Sequence, residues 1–213
     1  MSFASRDSEA ADSPRPGPGN PLAPVEITDP RALRALAHPA RIAILEHLVL
    51  DGPATATECA EVARLSPSAC SYHLRALAKY GYVEEDKAEA IDGRHRPWRA
   101  SLVAMSIGGN PELPSATRAA GRLLMESLQS HLDEHRTEYL DREAEYSPQW
   151  QRAAGYTQSV VHVTAEELIE LRERLNALVQ EYARLDPADQ PRGALRVGTY
   201  IEFIPWFDPV TSK

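Results

Sequence analysis

Apolar residues recur at helical spacing in several stretches of this chain, and polar capping residues mark where each begins. Asp29-Pro30 opens the first stretch, because an Asp cap and a proline at the first helical position both suit a helix start. Thr55 and Glu58 form a capping box and predict a short helix from about Ala56, with Cys59, Val62 and Ala63 at apolar positions and Leu65 closing it. Ser66-Pro67 opens the next helix by the same cap-plus-proline logic. Its Cys70, Leu74 and Leu77 recur at i, i+4, i+7 and must face a core. Gly81 suits a left-handed helix stop, and Tyr82-Val83 starts an extended run. Asp92-Gly93 is a two-residue hairpin signal that puts Arg94, His95 and Arg96 at or just past the tip, with Leu102 to Ile107 expected to finish the second strand. Gly108-Gly109-Asn110-Pro111 then breaks the chain.

Beyond the break, Ser115 to about Tyr146 reads as one long helix. Ala116, Ala119, Leu123, Leu124, Leu128, Leu132, Tyr139 and Leu140 make an apolar stripe near a heptad period. At about 30 residues it would be about 45 Å long and could not bury that stripe alone. Pairing with the same helix of a second copy, through Leu123, Leu124, Leu128 and Leu132, is the expected use; packing against its own C-terminal region is the alternative. Past Ser147-Pro148, the run Ser-Val-Val-His-Val-Thr ending at Thr164 is strand-like. Thr164 and Glu167 cap a helix carrying Leu168, Leu171, Leu175, Leu178, Val179 and Tyr182, and Leu195 to Ile204 alternates like a half-buried strand. Residues 1–24 are rich in Pro, Gly, Ser and charge. The expected fold is therefore α+β and mainly helical. A disordered tail covers 1–28, a winged helix-turn-helix 29–107, a long dimerisation helix 112–146 and a small strand-helix-strand module 147–213.

The outward face of the second short helix carries the chemistry. Beyond the capping Ser66, it offers Ser68, Ala69, Ser71, Tyr72, Arg75 and Lys79. A helix that reads DNA needs small or polar side chains near its N-terminus so that its backbone can approach base edges. The hydroxyls can bond phosphate oxygens, and Arg75 can reach a guanine edge or a phosphate. Arg94, His95 and Arg96 on the wing suit backbone or minor-groove contact. Double-stranded DNA is the expected partner.

The segments ALAHPARIAILEHL (Ala35 to Leu48) and LSPSACSYHLRALAKYGYV (Leu65 to Val83) resemble the arsenic-repressor (ArsR) class of bacterial winged-helix regulators. The resemblance spans roughly residues 29 to 104. It rests on His38, Pro39 and Arg41 in the first segment and on Ser71, His73, Leu74 and Leu77 in the second. It implies a DNA-binding regulator and a structural role for His38. Metal-sensing members of that class carry a Cys-x-Cys pair in the helix before the recognition helix, whereas Thr57 to Val62 holds Cys59 alone. That departure counts against an arsenic sensor.

Composition changes the picture at a few points. The net charge of −8 looks unfavourable for a DNA binder, but residues 29–104 balance ten Lys and Arg against ten Asp and Glu, so the acid excess lies elsewhere. Local charge governs phosphate affinity. Two cysteines make a disulfide framework improbable, as in a reducing cytoplasm. No apolar run is long enough to span a membrane, and the first residues lack the apolar core of a signal peptide. An excess of Arg over Lys fits a bacterial origin. No phosphate loop, nucleophile elbow or paired-carboxylate motif appears in 105–213, so an enzyme is not expected. His131 and His135, four apart on the long helix, could give two ligands to zinc or nickel, but on a charged helix the plainer reading is two surface histidines. No metal or cofactor is therefore expected. Trp150, Tyr156, Tyr200, Phe203, Trp206 and Phe207 leave room for an unidentified small-molecule effector, although packing in the core of a small module explains them more simply. The expected function is a dimeric, cytoplasmic transcription regulator acting as a repressor, with a C-terminal region that dimerises or senses an effector. The alternative is a winged-helix interaction adaptor that does not bind DNA.

Overall fold

The computed structural model describes residues 24–86, 96–102, 104–108, 110–183 and 189–205. The chain divides into two units, Met1–Ser159 and Val160–Lys213. The first contains β1 (Val25–Glu26), α1 (Pro30–Leu36), α2 (Pro39–Leu50), α3 (Ala56–Val62) and α4 (Pro67–Ala78). It continues through β2 (Val83–Glu85), β3 (Trp98–Ala100), β4 (Met105–Ser106), α5 (Ser115–Arg142), a 3-10 turn (Glu143–Glu145) and α6 (Pro148–Ala153). The second contains α7 (Ala165–Tyr182).

Capping chemistry sets the helix starts. Asp29 accepts from the Arg31 amide at 2.8 Å and Ser66 Oγ from the Ala69 amide at 3.2 Å, and both caps are followed by proline. The Thr55–Glu58 box is reciprocal: Glu58 Oε2 accepts from the Thr55 amide at 2.7 Å, and Thr55 Oγ1 accepts from the Glu58 amide at 3.3 Å. Between α3 and α4 the chain reverses through Arg64, whose φ of 53° is left-handed. The amides of Arg64 and Leu65 return to the carbonyls of Glu61 and Ala60, which closes the end of α3 in a Schellman arrangement. Gly81, at φ 73°, ends the turn after α4 in the same way, with Tyr82 N–H bonded to Leu77 O.

The core forms where these helices meet. Cys70, Leu74 and Leu77 of α4 are fully buried among Leu33, Leu36, Ile44, Leu45, Leu48, Cys59 and Tyr82. β2 and β3 pair antiparallel, with Val83 opposite Ala100 and Glu85 opposite Trp98, and Ala54 bridges to Trp98 on the other side. This is the wing. The residues expected at its tip, Asp92-Gly93, Arg94 and His95, lie outside the described residues.

Two boundaries differ from expectation. Leu102 to Ile107 does not prolong the second wing strand: β3 ends at Ala100, and Met105–Ser106 pairs in parallel with Val25–Glu26. The tail drawn through residue 28 is too long at its C-terminal end, because Ile27 is buried in the core and Val25 packs against it. A two-residue ladder and one buried isoleucine secure the segment without a long apolar run.

α5 packs against α1 and α2. Thr117, Ala120, Gly121 and Leu124 form its buried face. Thr117 Oγ1 donates to Thr28 O at 3.1 Å, which satisfies a buried hydroxyl and ties the N-terminal segment to the helix. A Cβ on Gly121 would meet Ile107 Cγ2 at 3.2 Å, so glycine permits this close approach. The expected dimer leucines therefore separate. Leu124 is fully buried within the single chain and belongs to its core, which corrects its assignment to an intermolecular seam. Leu128 and Leu132 are half-buried, and Leu123 is 50% exposed.

In the second unit, Thr164 and Glu167 again form a capping box at the start of α7. The flanking strands of the expected strand-helix-strand module are not formed; among the described residues of this unit α7 is the only regular element apart from a brief turn. Val160, Val161, Val163, Leu195, Val197 and Ile204 are all exposed. Alternation suits a strand, but a ladder exists only where a second strand supplies the hydrogen-bond partners. Before this unit, Ser147-Pro148 starts α6, which repeats the cap-plus-proline signal of α4. Among the described residues, no helix is long and apolar enough to cross a membrane.

The burial of α5 predicts an asymmetry between adjacent apolar residues. Leu124→Ala is expected to cost about 2–5 kcal/mol in urea unfolding, as a fully buried leucine does. Met125→Ala should stay within about 0.5 kcal/mol, as at exposed positions. Equal losses would mean that α5 packs through another face.

Candidate nucleic-acid interface

Burial of the Cys70–Leu74–Leu77 stripe turns the opposite side of α4 to solvent. Ser66, Ser68, Tyr72, Arg75 and Lys79 are exposed, with Tyr72 at 67%, while Ala69 and Ser71 are half-buried. Ser71 Oγ donates to Pro67 O at 2.9 Å, so its hydroxyl is held along the helix with its lone pairs free to accept. Ser66 and Ser68 hydroxyls lie 3.1 Å apart at the N-terminus. The sequence-predicted residues on α4 are thus brought onto one accessible surface.

Tertiary packing adds cations that the sequence reading left out. A groove of about 550 Å³ runs between α1 and α4, and its lining includes Arg31, Arg34, Arg41, Arg75, Lys79 and Tyr72. Among the described residues, no carboxylate lines it. Five positive side chains from three helices create a local field opposite in sign to the chain's net charge. The legible signal was the Arg31–Arg34 spacing on α1, which places both on one side of the helix. What was hidden is that α1 lies beside α4. Arg41 is partly desolvated, which lowers its guanidinium from the usual value, and its Nε is buried without a partner.

At the root of this surface sit two histidines. His38 caps α2, accepting from the Ala40 amide through Nδ1 at 3.2 Å. Its ring lies 4.7 Å from that of His73 on α4, and Tyr72 meets His73 edge-on at 5.6 Å. Burial and then the neighbouring Arg41 push His38 below the usual imidazole range. Burial, His38 and Arg41 do the same to His73. Both are packed groups, neutral near pH 7, that join the start of α2 to α4.

The wing is braced by charge. Arg96 Nη1 lies 3.1 Å from Glu85 Oε2 and Arg99 Nη2 lies 2.5 Å from Glu84 Oε1. Arg96 therefore stands exposed but already paired across the hairpin, not as an unpaired wing cation. Arg94 and His95 fall outside the described residues.

Residues 36–86 match a family model described as a helix-turn-helix domain. This part of the chain is a helix-turn-helix domain. With β2 and β3 behind it, the domain has the winged form. Among solved structures, the chain is similar to the homodimeric winged helix-turn-helix DNA-binding domain of a Mycobacterium bovis protein described as a possible ArsR-family transcriptional regulator. The identity is 24%, with 51% of this chain and 81% of that one covered, and the TM-score is 0.30. At that score the likeness adds nothing to the fold described above. No curated protein matches the chain.

Two further groups of candidate residues lie outside the helix-turn-helix surface. Cys59 and Cys70, on different helices, meet in the core, and their thiols are hydrogen-bonded. Burial pushes the Cys59 thiol up to about 12 and raises that of Cys70. They are packing residues with little thiolate character at neutral pH. His131 and His135 are not two isolated surface histidines, because both meet Glu46 of α2: His131 Nε2 is 2.8 Å and His135 Nε2 3.0 Å from Glu46 Oε2. Burial alone would raise Glu46, but the hydrogen bonds from the two imidazoles and their charge outweigh it and leave the carboxyl below its usual range. The bond to Glu46 raises His131 against its own burial. Of the aromatics considered as an effector pocket, Tyr156 is 81% exposed and Tyr200 is also exposed; Trp206 and Phe207 lie outside the described residues.

The His38–His73 contact carries a pH dependence with a definite sign. Lowered folded-state values mean that the unfolded chain binds protons first. Their contribution to stability is complete above the unfolded value of 6.5 and is lost as pH falls through the lower folded values. The loss of melting temperature between about pH 7 and about pH 5 is expected to be smaller in His73→Phe than in the unaltered protein, as read by circular dichroism. An identical loss in both would remove this pair as a source of acid sensitivity.

Proposed function

We propose that this chain is a sequence-specific DNA-binding transcription regulator of the ArsR-like kind, acting as a dimeric repressor in the bacterial cytoplasm. The observation that carries the reading is the basic, acid-free groove along α4. The helix-turn-helix domain presents Ser68, Ser71, Tyr72 and Arg75 outward, and Arg31, Arg34, Arg41 and Lys79 surround them. In this reading α4 enters the major groove, Arg75 reaches a base edge, and Arg31 and Arg34 hold phosphates on either side. The hydroxyls of Ser66 and Ser68 and the Ser68 amide at the start of α4 take a further phosphate. The wing, with Arg94, His95 and Arg96, contacts the adjacent backbone or minor groove.

Dimerisation belongs to this reading because one such domain covers one half-site, and two copies on a palindrome bind far more tightly. The seam proposed on α5 runs through Leu123, Leu128 and Leu132, without Leu124. In multi-angle light scattering the unaltered chain is expected at twice its formula mass and Leu123→Glu with Leu132→Glu at the formula mass. A dimer that persists in the double variant would place the seam elsewhere.

The test of DNA reading is fluorescence anisotropy on the protein's own upstream duplex, with a scrambled duplex as control. Arg75→Ala is expected to cost about 1–3 kcal/mol on the cognate duplex and to relax its preference over the scrambled one. Arg34→Ala should weaken both duplexes alike and reduce the salt slope by about 1. Equal, weak and variant-insensitive binding to both duplexes would favour the adaptor reading.

A further inference from the structure

The cluster formed by Glu46, His131 and His135 plays no part in the DNA-facing surface. It joins α2 to α5 across 85 residues of sequence. We propose that Glu46, His131 and His135 form a binding site for one divalent transition-metal ion of zinc-like chemistry. Three ligand atoms of the right type already converge. Glu46 Oε2 lies 2.8 Å from His131 Nε2 and 3.0 Å from His135 Nε2, and the two imidazole nitrogens are 3.3 Å apart. Zinc bonds to imidazole and carboxylate are about 2.0–2.2 Å, which gives a tetrahedral edge of about 3.3–3.5 Å. The imidazole–imidazole separation matches that edge, and the two carboxylate–imidazole separations are about 0.3–0.7 Å short of it, so the Glu46 carboxylate must swing back from the two rings to admit an ion. Two imidazoles and one carboxylate form the mixed donor set that zinc, nickel and cobalt take in preference to calcium or magnesium.

The surroundings suit an exchangeable ion. His131 is largely covered, with 17% of its side chain exposed, while Glu46 is at 31% and His135 at 47%. The helix backbone and the packing of α5 on α2 hold the ligands in place before binding, and the outer side remains open to water. That side is a cleft of about 740 Å³ whose lining sets four carboxylates, Asp133, Glu134, Glu138 and Asp141, against two arginines, Arg64 and Arg142. This acidic rim attracts a cation and offers water or a further carboxylate for the fourth position. Three protein ligands with one open position distinguish it from a closed structural site. Each imidazole would bind the ion through Nε2 and keep its hydrogen on Nδ1, and any second proton held on the ring would be released to water on binding. The ion would cross-link α2 to α5 and so stabilise the fold of the first unit by mass action. None of this depends on the DNA-binding reading.

The experiment uses the full chain, purified without an affinity tag and freed of metal by a chelator. Cobalt(II) is titrated in while the visible d–d bands are followed, zinc is then used to displace it, and melting temperature is recorded with and without zinc. One ion per chain is expected, with zinc displacing cobalt and raising the melting temperature. His131→Gln with His135→Gln should abolish the bands and the thermal shift, and Glu46→Gln should weaken binding at least about tenfold. His135→Gln alone, at the most exposed ligand, guards against loss of fold and should also weaken binding, with unchanged circular dichroism. His162→Gln, an exposed histidine of the second unit, should bind as the unaltered chain does. The proposal is overturned if the unaltered chain takes up no cobalt or zinc. Equal binding by the folded double-histidine variant would overturn it too, since the ion would then sit elsewhere.

Discussion

Cys70, Leu74 and Leu77 are completely buried on one side of α4, and that burial decides what the other side of the helix can offer. A helix has one orientation about its axis that removes such a stripe from water, and burying three side chains to that degree is worth several kcal/mol. Rotating α4 by even one residue would expose apolar area and push Ser68, Tyr72 or Arg75 toward Leu36 and Tyr82. The presentation of a small, polar and basic face is therefore a consequence of core packing. The caps at both ends set where that face begins and stops: Ser66 and Pro67 at the start, and the left-handed Gly81 beyond the end.

α5 has two functions along its length. Its first half completes the core through Thr117, Ala120, Gly121 and Leu124, and so holds α1 in place. Because α1 carries Arg31 and Arg34 to the groove beside α4, α5 indirectly positions two of the five cations there. Its second half leaves the apolar core and meets α2 through His131, His135 and Glu46. The same helix that reads as a simple apolar stripe thus changes from hydrophobic to polar packing partway along.

The elements that were legible share one property: their signals are local. Capping boxes at Thr55 and Thr164, cap-plus-proline starts at Asp29 and Ser66, the glycine stop and the stripe of α4 all act within a few residues of themselves. Their chemistry fixes backbone conformation before any distant contact forms. The long helix was legible for the same reason. The strand pairing was not: Val25–Glu26 pairs with Met105–Ser106, and Leu195–Ile204 forms no strand among the described residues, although the second has much the better alternation. A strand pattern specifies a face but no partner.

Local chemistry in the sequence determined the helices, their ends, and the residues that α4 turns outward, because hydrogen-bonded caps and i, i+4 burial are settled over one or two turns. Only the tertiary structure decided which separate helices lie side by side. It put Arg31, Arg34 and Arg41 in one groove with Arg75, took Leu124 into the core instead of a seam, and brought Cys59 to Cys70 and Glu46 to two histidines 85 and 89 residues away. These convergences depend on how several buried faces pack at once, and no single stretch of chain carries that information.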